Sequence, residues 1–153
     1  MKYINQLIEK LEEKNIDIIS CSDKEIEDII QKFEGLELPL AYKEFIFNLG
    51  NGMKSGYMRG DSCYIDELFY LRDWANELLE ERNSKLELSE NDFVFWMSQG
   101  CMFCFFKLNE GENPPVYFYN ESGEDRFITT ANSFTEFLIN RLEMNGSLFK
   151  EKE

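Results

Sequence analysis

The stretch from Phe93 to Tyr119 constrains the fold of this chain more than any other segment. No acidic residue lies between Phe93 and Lys107, although the chain has 30 Asp and Glu residues. Short aromatic and β-branched runs bounded by Gly, Asn and Pro are typical of strands. The sequence therefore predicts a central sheet with strands at 93–97, 101–108, 116–119 and 127–128. The aromatic residues of the stretch are Phe93, Phe95, Trp96, Phe103, Phe105, Phe106, Tyr117, Phe118 and Tyr119.

The predicted strands are apolar on both faces instead of alternating between apolar and polar residues. Such strands belong to a sheet that is covered on both sides. We therefore expect helices on both faces, supplied by the first helix and by a helix inserted before the strands. If Trp96 or Phe105 were exposed instead, an aromatic patch would be available to anchor a partner.

Apolar residues at helical spacing predict helices on either side of this stretch. Ser22 with Glu25, and Ser133 with Glu136, have the spacing of capping boxes at two of the helix starts. Around Gly60-Asp61 we expect only a short strand or hairpin. The predicted helices lie at 3–14, 23–33 and 39–49, from Asp66 onward, and from Ser133 to a stop at Gly146. The second helix is predicted to bury Ile26, Ile29, Ile30 and Phe33.

The order of these elements predicts the fold class. Short links between the strands favour antiparallel pairing, and the helices precede, interrupt and follow the strands. We therefore expect an α+β fold with a central, mainly antiparallel sheet, N-terminal helices and one C-terminal helix. A chain of 153 residues without a linker-like segment is most simply one domain over 1–153.

Charge and composition exclude several classes of function. The net charge of −14 makes binding to nucleic acid unfavourable, because phosphate contacts need clusters of Lys and Arg. The N-terminus has acidic residues where a signal peptide or membrane span needs an apolar run, so we expect a cytoplasmic protein. The absence of histidine excludes His-based catalysis and His-containing metal sites. We expect no cofactor, and Cys21, Cys63, Cys101 and Cys104 are predicted to be buried, reduced thiols.

A stripe of acidic residues lies along one side of the fourth predicted helix. Asp66, Asp73, Glu77 and Glu80 share one side of it, opposite inward-facing residues that are predicted to include Trp74. Like charges three or four residues apart weaken a helix, and neither Arg72 nor Lys85 lies within the stripe. A local rule broken without visible compensation marks a place to look for function, although an ordinary solvated face is the alternative.

Three segments together resemble the SUKH superfamily, bacterial immunity proteins related to a yeast cell-wall synthesis regulator. The first is LPLAYKEFIFNLGNG, in which Leu38, Pro39, Tyr42, Lys43, Phe45, Asn51 and Gly52 match the family motif. The second is FVFWMSQGCMFCFF with PPVYFY, similar to the paired strands around a Q-G turn and the following P-V-Y strand. The third is NSFTEFLINRL, similar to the closing S-F-x-x-F-L helix. The resemblance covers residues 26–142 and implies a scaffold whose partner choice lies in its variable surface.

The resemblance implies a cytoplasmic immunity protein that neutralises a cognate toxin, often a nuclease in this superfamily. Because nucleases have basic substrate clefts, an acidic inhibitor could occupy the cleft and associate rapidly. We expect the partner to contact Asp66, Asp73, Glu77, Glu80, Glu110, Glu112, Glu121, Glu124 and Asp125. A regulatory interaction module of the same fold is the alternative. An enzyme using paired carboxylates is a third hypothesis, although the sequence marks no such pair.

Overall fold

The structure, a computed structural model, describes residues 1–52 and 56–143. Within this part of the chain, five α-helices surround a five-stranded antiparallel sheet, which confirms the predicted α+β class. The predicted helix stop at Gly146 lies outside the described residues. The helices are α1 (Asn5–Glu13), α2 (Asp23–Lys32), α3 (Leu40–Leu49), α4 (Leu71–Glu81) and α5 (Phe134–Glu143), and a 3-10 helix (Leu68–Tyr70) leads into α4. The strands are β1 (Asp61–Ser62), β2 (Asp92–Ser98), β3 (Met102–Lys107), β4 (Val116–Asn120) and β5 (Ile128–Ala131).

The five strands lie in chain order, and each pairs antiparallel with the next. The predicted strands β2, β3 and β4 are confirmed, and the short strand expected near Gly60-Asp61 is β1 at the edge of the sheet. The register of β2 shifts between Val94 and Trp96, so one extra residue is accommodated there. Positive φ values at Gln99 (52°) and Gly100 (69°) allow the tight connection from β2 to β3.

One face of the sheet is covered by α3 and α5. The ring of Phe95 lies 5.1 Å from Phe106 and 5.1 Å from Phe134 of α5, measured between centroids. Tyr42 of α3 lies 5.2 Å from Phe106 and 5.6 Å from Phe134. The first helix packs against α5. Rings of α3 and α5 thus cover this face, and the first helix, which was predicted to cover it, packs against α5.

The opposite face is covered by the inserted helix and by a cluster of aromatic rings. Helix α4 packs on β2, as predicted for the inserted helix. Farther across this face, Phe127 stands edge-on to Phe105 at 4.8 Å, and Phe105 stacks on Tyr117 at 5.3 Å. Trp96 and Phe105 are each 1% exposed. The alternative in which one of them anchors a partner is therefore wrong.

The predicted capping residues fix the starts of two helices. At α2, Ser22 Oγ accepts the N–H of Glu25 while the Glu25 carboxylate accepts the N–H of Ser22, so the capping box is confirmed. At α5, Ser133 Oγ accepts the N–H of Glu136 at 3.1 Å, while the Glu136 carboxylate accepts the N–H of Asn132. The predicted contact between Ser133 and Glu136 is therefore present, and the Glu136 carboxylate also binds the backbone of the preceding residue.

Helix α2 buries a narrower face than its sequence predicts. Ile29 is fully buried, whereas Ile30 is 58% exposed. Ile26 and Phe33 are partly buried against the core. The prediction for Ile30 is wrong because α2 lies at the edge of the core and contacts it along one line of residues only.

Candidate partner-binding surface

The outward side of α4 presents carboxylates that no nearby cation neutralises. Asp73, Glu77 and Glu80 are exposed, and their spacing of four and three residues places them on one side of the helix. Within residues 1–52 and 56–143, none of these carboxylates forms an ion pair. Asp66 is also exposed and also outside these ion pairs, but it lies in a turn before the 3-10 helix. The predicted helix therefore begins at Leu71, and Asp66 is not part of it.

An aromatic pair lies on the flank of the same helix. The rings of Tyr70 and Trp74 stack with a centroid separation of 5.6 Å and an angle of 18°. Tyr70 is 56% exposed, whereas Trp74, which was predicted to face inward, is partly buried against the core. Tyr and Trp offer large, rigid contact areas with a polar end, and they are enriched where proteins bind proteins.

A groove of about 520 Å³ runs between this flank of α4 and the edge of the sheet. The residues of α4 that line it are Trp74, Glu77, Leu78 and Glu81, and the remaining lining residues come from the turn before the 3-10 helix, from β1 with the preceding Gly60, from β2 and from the β2–β3 turn. Glu67 is oriented by Ser62, whose Oγ donates a hydrogen bond to Glu67 Oε2 at 3.0 Å. The groove therefore combines an aromatic wall with carboxylates. The acidic residues that line it are Glu67, Glu77 and Glu81.

The acidic residues of the β4–β5 loop are already engaged within the chain. Glu121 accepts a hydrogen bond from Arg82 Nε at 2.8 Å, and the Arg82 guanidinium lowers the pKa of Glu121. Asp125 accepts the Ser84 hydroxyl at 2.5 Å and the N–H of Lys85 at 3.0 Å. These hydrogen bonds lower the pKa of Asp125. The loop is thus fastened to the segment that follows α4.

Glu124 in that loop and Glu112 in the β3–β4 loop each form an ion pair. Glu124 binds Arg126 at 2.9 Å. Glu112 accepts the Tyr3 hydroxyl at 2.6 Å and lies 3.4 Å from Lys2 Nζ. The hydrogen bond from Tyr3, followed by that from Lys2, lowers the pKa of Glu112. These carboxylates hold parts of the chain together.

Glu110 accepts the hydroxyl of Tyr117 at 2.8 Å. Burial, together with this hydrogen bond, raises the pKa of Tyr117 to about 12. Glu110 and Glu112 precede β4, while the β4–β5 loop follows it. A five-residue strand spans about 16 Å, so the two predicted loop groups lie at opposite ends of β4.

The nine predicted partner-binding residues thus do not form one continuous surface. The residues of α4 form one unneutralised face, whereas the loop residues are engaged in contacts within the chain and are divided between the two ends of the sheet. Of the acidic residues of the groove, Glu77 is a predicted partner-binding residue, whereas Glu67, Glu81 and the aromatic Tyr70 are not among the predicted residues. The spacing of four between Tyr70 and Trp74, followed by Glu77 and Glu81 at three and seven residues beyond Trp74, is the signal that could have identified them.

A second groove of about 430 Å³ lies beside the link between α2 and α3. Exposed Ile30 and Leu36 give it an apolar surface. Its lining residues include two acidic residues, Glu34 and Glu37, and one basic residue, Lys43. It therefore offers apolar area without a preference for the charge of a partner.

All four cysteines are free thiols. Cys63 and Cys104 are fully buried, and burial raises the pKa of both well above the ordinary value. Cys101 is partly exposed because it lies in the turn before β3, so the prediction of a buried thiol is wrong for this residue. Within residues 1–52 and 56–143, no group of three His, Cys, Asp or Glu residues could hold a metal ion.

Two residues of the family motif have structural roles. Asn51 Nδ2 donates a hydrogen bond to Glu25 Oε1 at 2.8 Å and so links the end of α3 to the start of α2. Gly52 lies against the ring of Tyr64, where a Cβ atom would approach to 3.0 Å. These contacts support the prediction that the motif builds a scaffold and leaves recognition to other surfaces.

Comparison with known proteins identifies the family. No helix within the described residues has the length and apolar character needed to cross a membrane. No curated protein and no solved structure matches the chain. A model of the SMI1/KNR4 family (SUKH-1) matches residues 20–140, which is more than half of the chain and includes the first two resembling segments and most of the third. The chain therefore belongs to the SMI1/KNR4 family (SUKH-1).

Proposed function

We propose that this chain is a cytoplasmic immunity protein that binds and neutralises a cognate toxin with a basic surface. A nuclease is the class of toxin that fits best, because its substrate cleft must attract phosphate groups. The protein acts by binding, with no reaction of its own. The observation that supports this proposal is the unneutralised acidic face of α4, formed by Asp73, Glu77 and Glu80.

Electrostatic steering explains how this face would serve an immunity protein. Exposed charges of one sign raise the rate of association with an oppositely charged partner by roughly 10- to 1,000-fold at low ionic strength. Fast capture protects a cell from a toxin before the toxin reaches its substrate. The net charge of −14 extends the attraction beyond the contact area.

The loop carboxylates contribute less to this attraction. Arg82 neutralises Glu121, Arg126 neutralises Glu124, and Lys2 lies beside Glu112. Reversing the charge of one of these residues would also break a contact within the chain, so a change in binding could not be separated from a change in folding. The residues of α4 are therefore the ones to test first.

Co-purification with the protein encoded by the neighbouring gene tests the proposed function. We expect a stable complex in which the partner loses its toxic activity. Binding without loss of a toxic activity would support the alternative, a regulatory interaction module. Absence of binding to any protein with a basic surface would contradict both.

The rate of association tests the surface. We expect Glu77→Lys with Glu80→Lys to slow association with the toxin about tenfold at low salt, and the difference should shrink as salt screens the charges. The matched control is Glu12→Lys with Glu13→Lys, which makes the same change of charge at exposed positions of α1. Equal association rates for the two variants at low salt would exclude α4 as the steering surface.

A further inference from the structure

The groove beside α4 has a chemical character more specific than a negative surface. Trp74 lines its helix side, and the Trp74 ring stacks on the ring of Tyr70 with a centroid separation of 5.6 Å. Three carboxylates line the groove, and no Lys or Arg is among its lining residues in the described part of the chain. An aromatic face next to carboxylates is the combination that binds cations most selectively.

We propose that this groove receives an arginine side chain of the protein partner. The proposal rests on the proposed function, because the partner is the toxin with a basic surface. The guanidinium stacks on the Trp74 indole and donates hydrogen bonds to Glu77 and Glu81. The apolar stem of the arginine packs along Leu78 and Met97, which also line the groove.

The shape and chemistry of the groove favour arginine over lysine. A guanidinium is planar, stacks on an aromatic ring and presents five N–H donors, whereas an ammonium is a compact and strongly hydrated charge. The groove is lined by carboxylates on successive turns of α4, so these carboxylates can receive several of the donors. Glu77 and Glu81 are four residues apart and so lie one above the other on the helix.

The position of the stack explains why it is exposed. Leu71, Ala75, Leu78 and Leu79 form the buried side of α4. Tyr70, Trp74, Glu77 and Glu81 follow a separate line along the flank, at intervals of four, three and four residues. Trp74 packs against the core and its ring stacks on Tyr70, and these contacts hold the indole in place beside the groove. A rigid aromatic anchor of this kind loses little conformational freedom on binding.

An NMR titration with Nα-acetyl-arginine amide tests the site without any toxin. The ligand is added to the ¹⁵N-labelled protein, and the indole N–H signal of Trp74 is followed. Trp96 provides an internal control, because its indole is buried and donates to Asp61 at 2.9 Å. We expect a saturable shift of the Trp74 signal and none of the Trp96 signal. The lysine analogue should bind roughly two- to fivefold more weakly.

Substitutions identify the residues responsible. Tyr70→Leu should weaken binding of the arginine amide roughly two- to fivefold. Glu77→Gln with Glu81→Gln should weaken it about three- to tenfold. Glu12→Gln with Glu13→Gln changes the total charge equally on α1 and should leave the affinity unchanged. A shift that does not saturate, or equal affinities for all variants or for both ligands, would overturn the proposal.

Two further outcomes are distinguishable. If the toxin binds and Trp74→Leu dissociates from it no faster than the unsubstituted protein, the arginine site is wrong while the proposed function stands. If the arginine amide binds as expected but no toxin is found, the site stands and the proposed function fails. A dimer of the free protein that dissociates in Trp74→Leu would also overturn the proposal, because a second copy would then occupy the groove.

Discussion

Asp61 and Arg141 form an ion pair in the interior of the protein, with Arg141 Nη2 at 3.1 Å from Asp61 Oδ2. The two side chains are only 7% and 12% exposed. The same carboxylate oxygen accepts the indole N–H of Trp96 at 2.9 Å, and the Arg141 guanidinium lies 5.4 Å from the centre of that ring. This contact joins the edge strand β1 to α5 and to the middle of the sheet.

Removing the charge of Asp61 should destabilise the fold. Asp61→Asn removes a counter-charge that lies 3.1 Å from the buried Arg141 guanidinium, which costs about 3 kcal/mol of the free energy of unfolding. Urea denaturation followed by tryptophan fluorescence measures this cost. Asp66→Asn makes the same change of charge in an exposed turn and should alter the free energy by less than about 0.5 kcal/mol. Equal denaturation midpoints for the two variants would show that the buried pair adds nothing.

The start of α1 should depend on a single carboxylate of α3. Glu44 Oε1 accepts the backbone N–H groups of Lys2, Tyr3 and Ile4 at 3.0, 2.9 and 3.4 Å, and Glu44 is buried. Glu44→Ala removes the acceptor of all three donors, so we expect a loss of about 2 kcal/mol in the free energy of unfolding. Amide hydrogen exchange at Ile4 should accelerate.

Glu44→Gln is the control for this prediction. The amide keeps one oxygen in the position of Oε1 but has no charge, so we expect an intermediate loss of stability. If Glu44→Ala left exchange at Ile4 unchanged, the N-terminal turn would be held by the packing of α1 on α5 and not by the carboxylate.

Local features explain why much of the fold could be predicted from the sequence. The aromatic runs of β2 and β3 end at turn residues, so their limits were predicted to within one residue. The capping box of Ser22 and Glu25 joins neighbours in the chain, and its spacing alone specifies the contact. The acidic face of α4 could be predicted for the same reason, because Asp73, Glu77 and Glu80 meet through helical spacing.

Contacts between distant residues could not be predicted in this way. Asp125 resembles any exposed loop acid until β5 brings it to Ser84, 41 residues away in the chain. Ile30 has the spacing of a buried residue, but its exposure depends on how far α2 extends beyond the core. Trp74 was predicted to face inward because its size and periodicity fit a core position, whereas the groove beside it is formed by the sheet edge.

The ion pair between Arg82 and Glu121 should be detectable as a low pKa of the Glu121 carboxylate. The pKa of Glu121 lies below its ordinary value of 4.5 because Arg82 donates to it. The stabilisation is therefore complete above about pH 4.5 and is lost as the pH falls through the lower pKa of the folded state. Arg82→Gln should raise the pKa of Glu121 in a carbon-detected NMR titration of the carboxyl groups.

The carboxylate of Asp125 serves as the control in the same titration. Its low pKa depends on hydrogen bonds from Ser84 and Lys85, not on Arg82. We expect it to stay unchanged in Arg82→Gln. If both pKa values rose together, the substitution would have released the whole loop, and the specific effect of the ion pair would be contradicted.

The cysteines should differ in their reactivity towards a thiol reagent. Burial is the main reason that the pKa of Cys21 is raised to about 11, and burial also holds Cys63 and Cys104 in the unreactive thiol form. Cys101 is partly exposed. At pH 8 we expect one thiol per chain to react rapidly with a disulfide reagent, and Cys101→Ser should abolish that phase. Rapid reaction of a second thiol would show that the core around β3 opens readily.

The acidic face of α4 should reduce the stability of the free protein. Glu77 has Asp73 four residues before it, Glu80 three residues after it and Glu81 four residues after it. Each like-charged pair at these spacings costs about 0.2–0.5 kcal/mol, so the loss of three pairs in Glu77→Gln should raise the free energy of unfolding by roughly 0.6–1.5 kcal/mol. Urea denaturation at low salt measures the gain, which should diminish at high salt.

Glu27→Gln on α2 is the matched control, because Glu27 is exposed and has Asp23 and Lys24 at the corresponding spacings. The attraction and the repulsion there nearly cancel, so we expect little change in stability. The same Glu77→Gln variant should also associate more slowly with a basic partner, since it removes a charge from the steering surface. A gain in stability combined with a loss in association rate is the pattern expected of residues retained for binding. A decrease in both the free energy of unfolding and the association rate would instead show that Glu77 stabilises the folded protein.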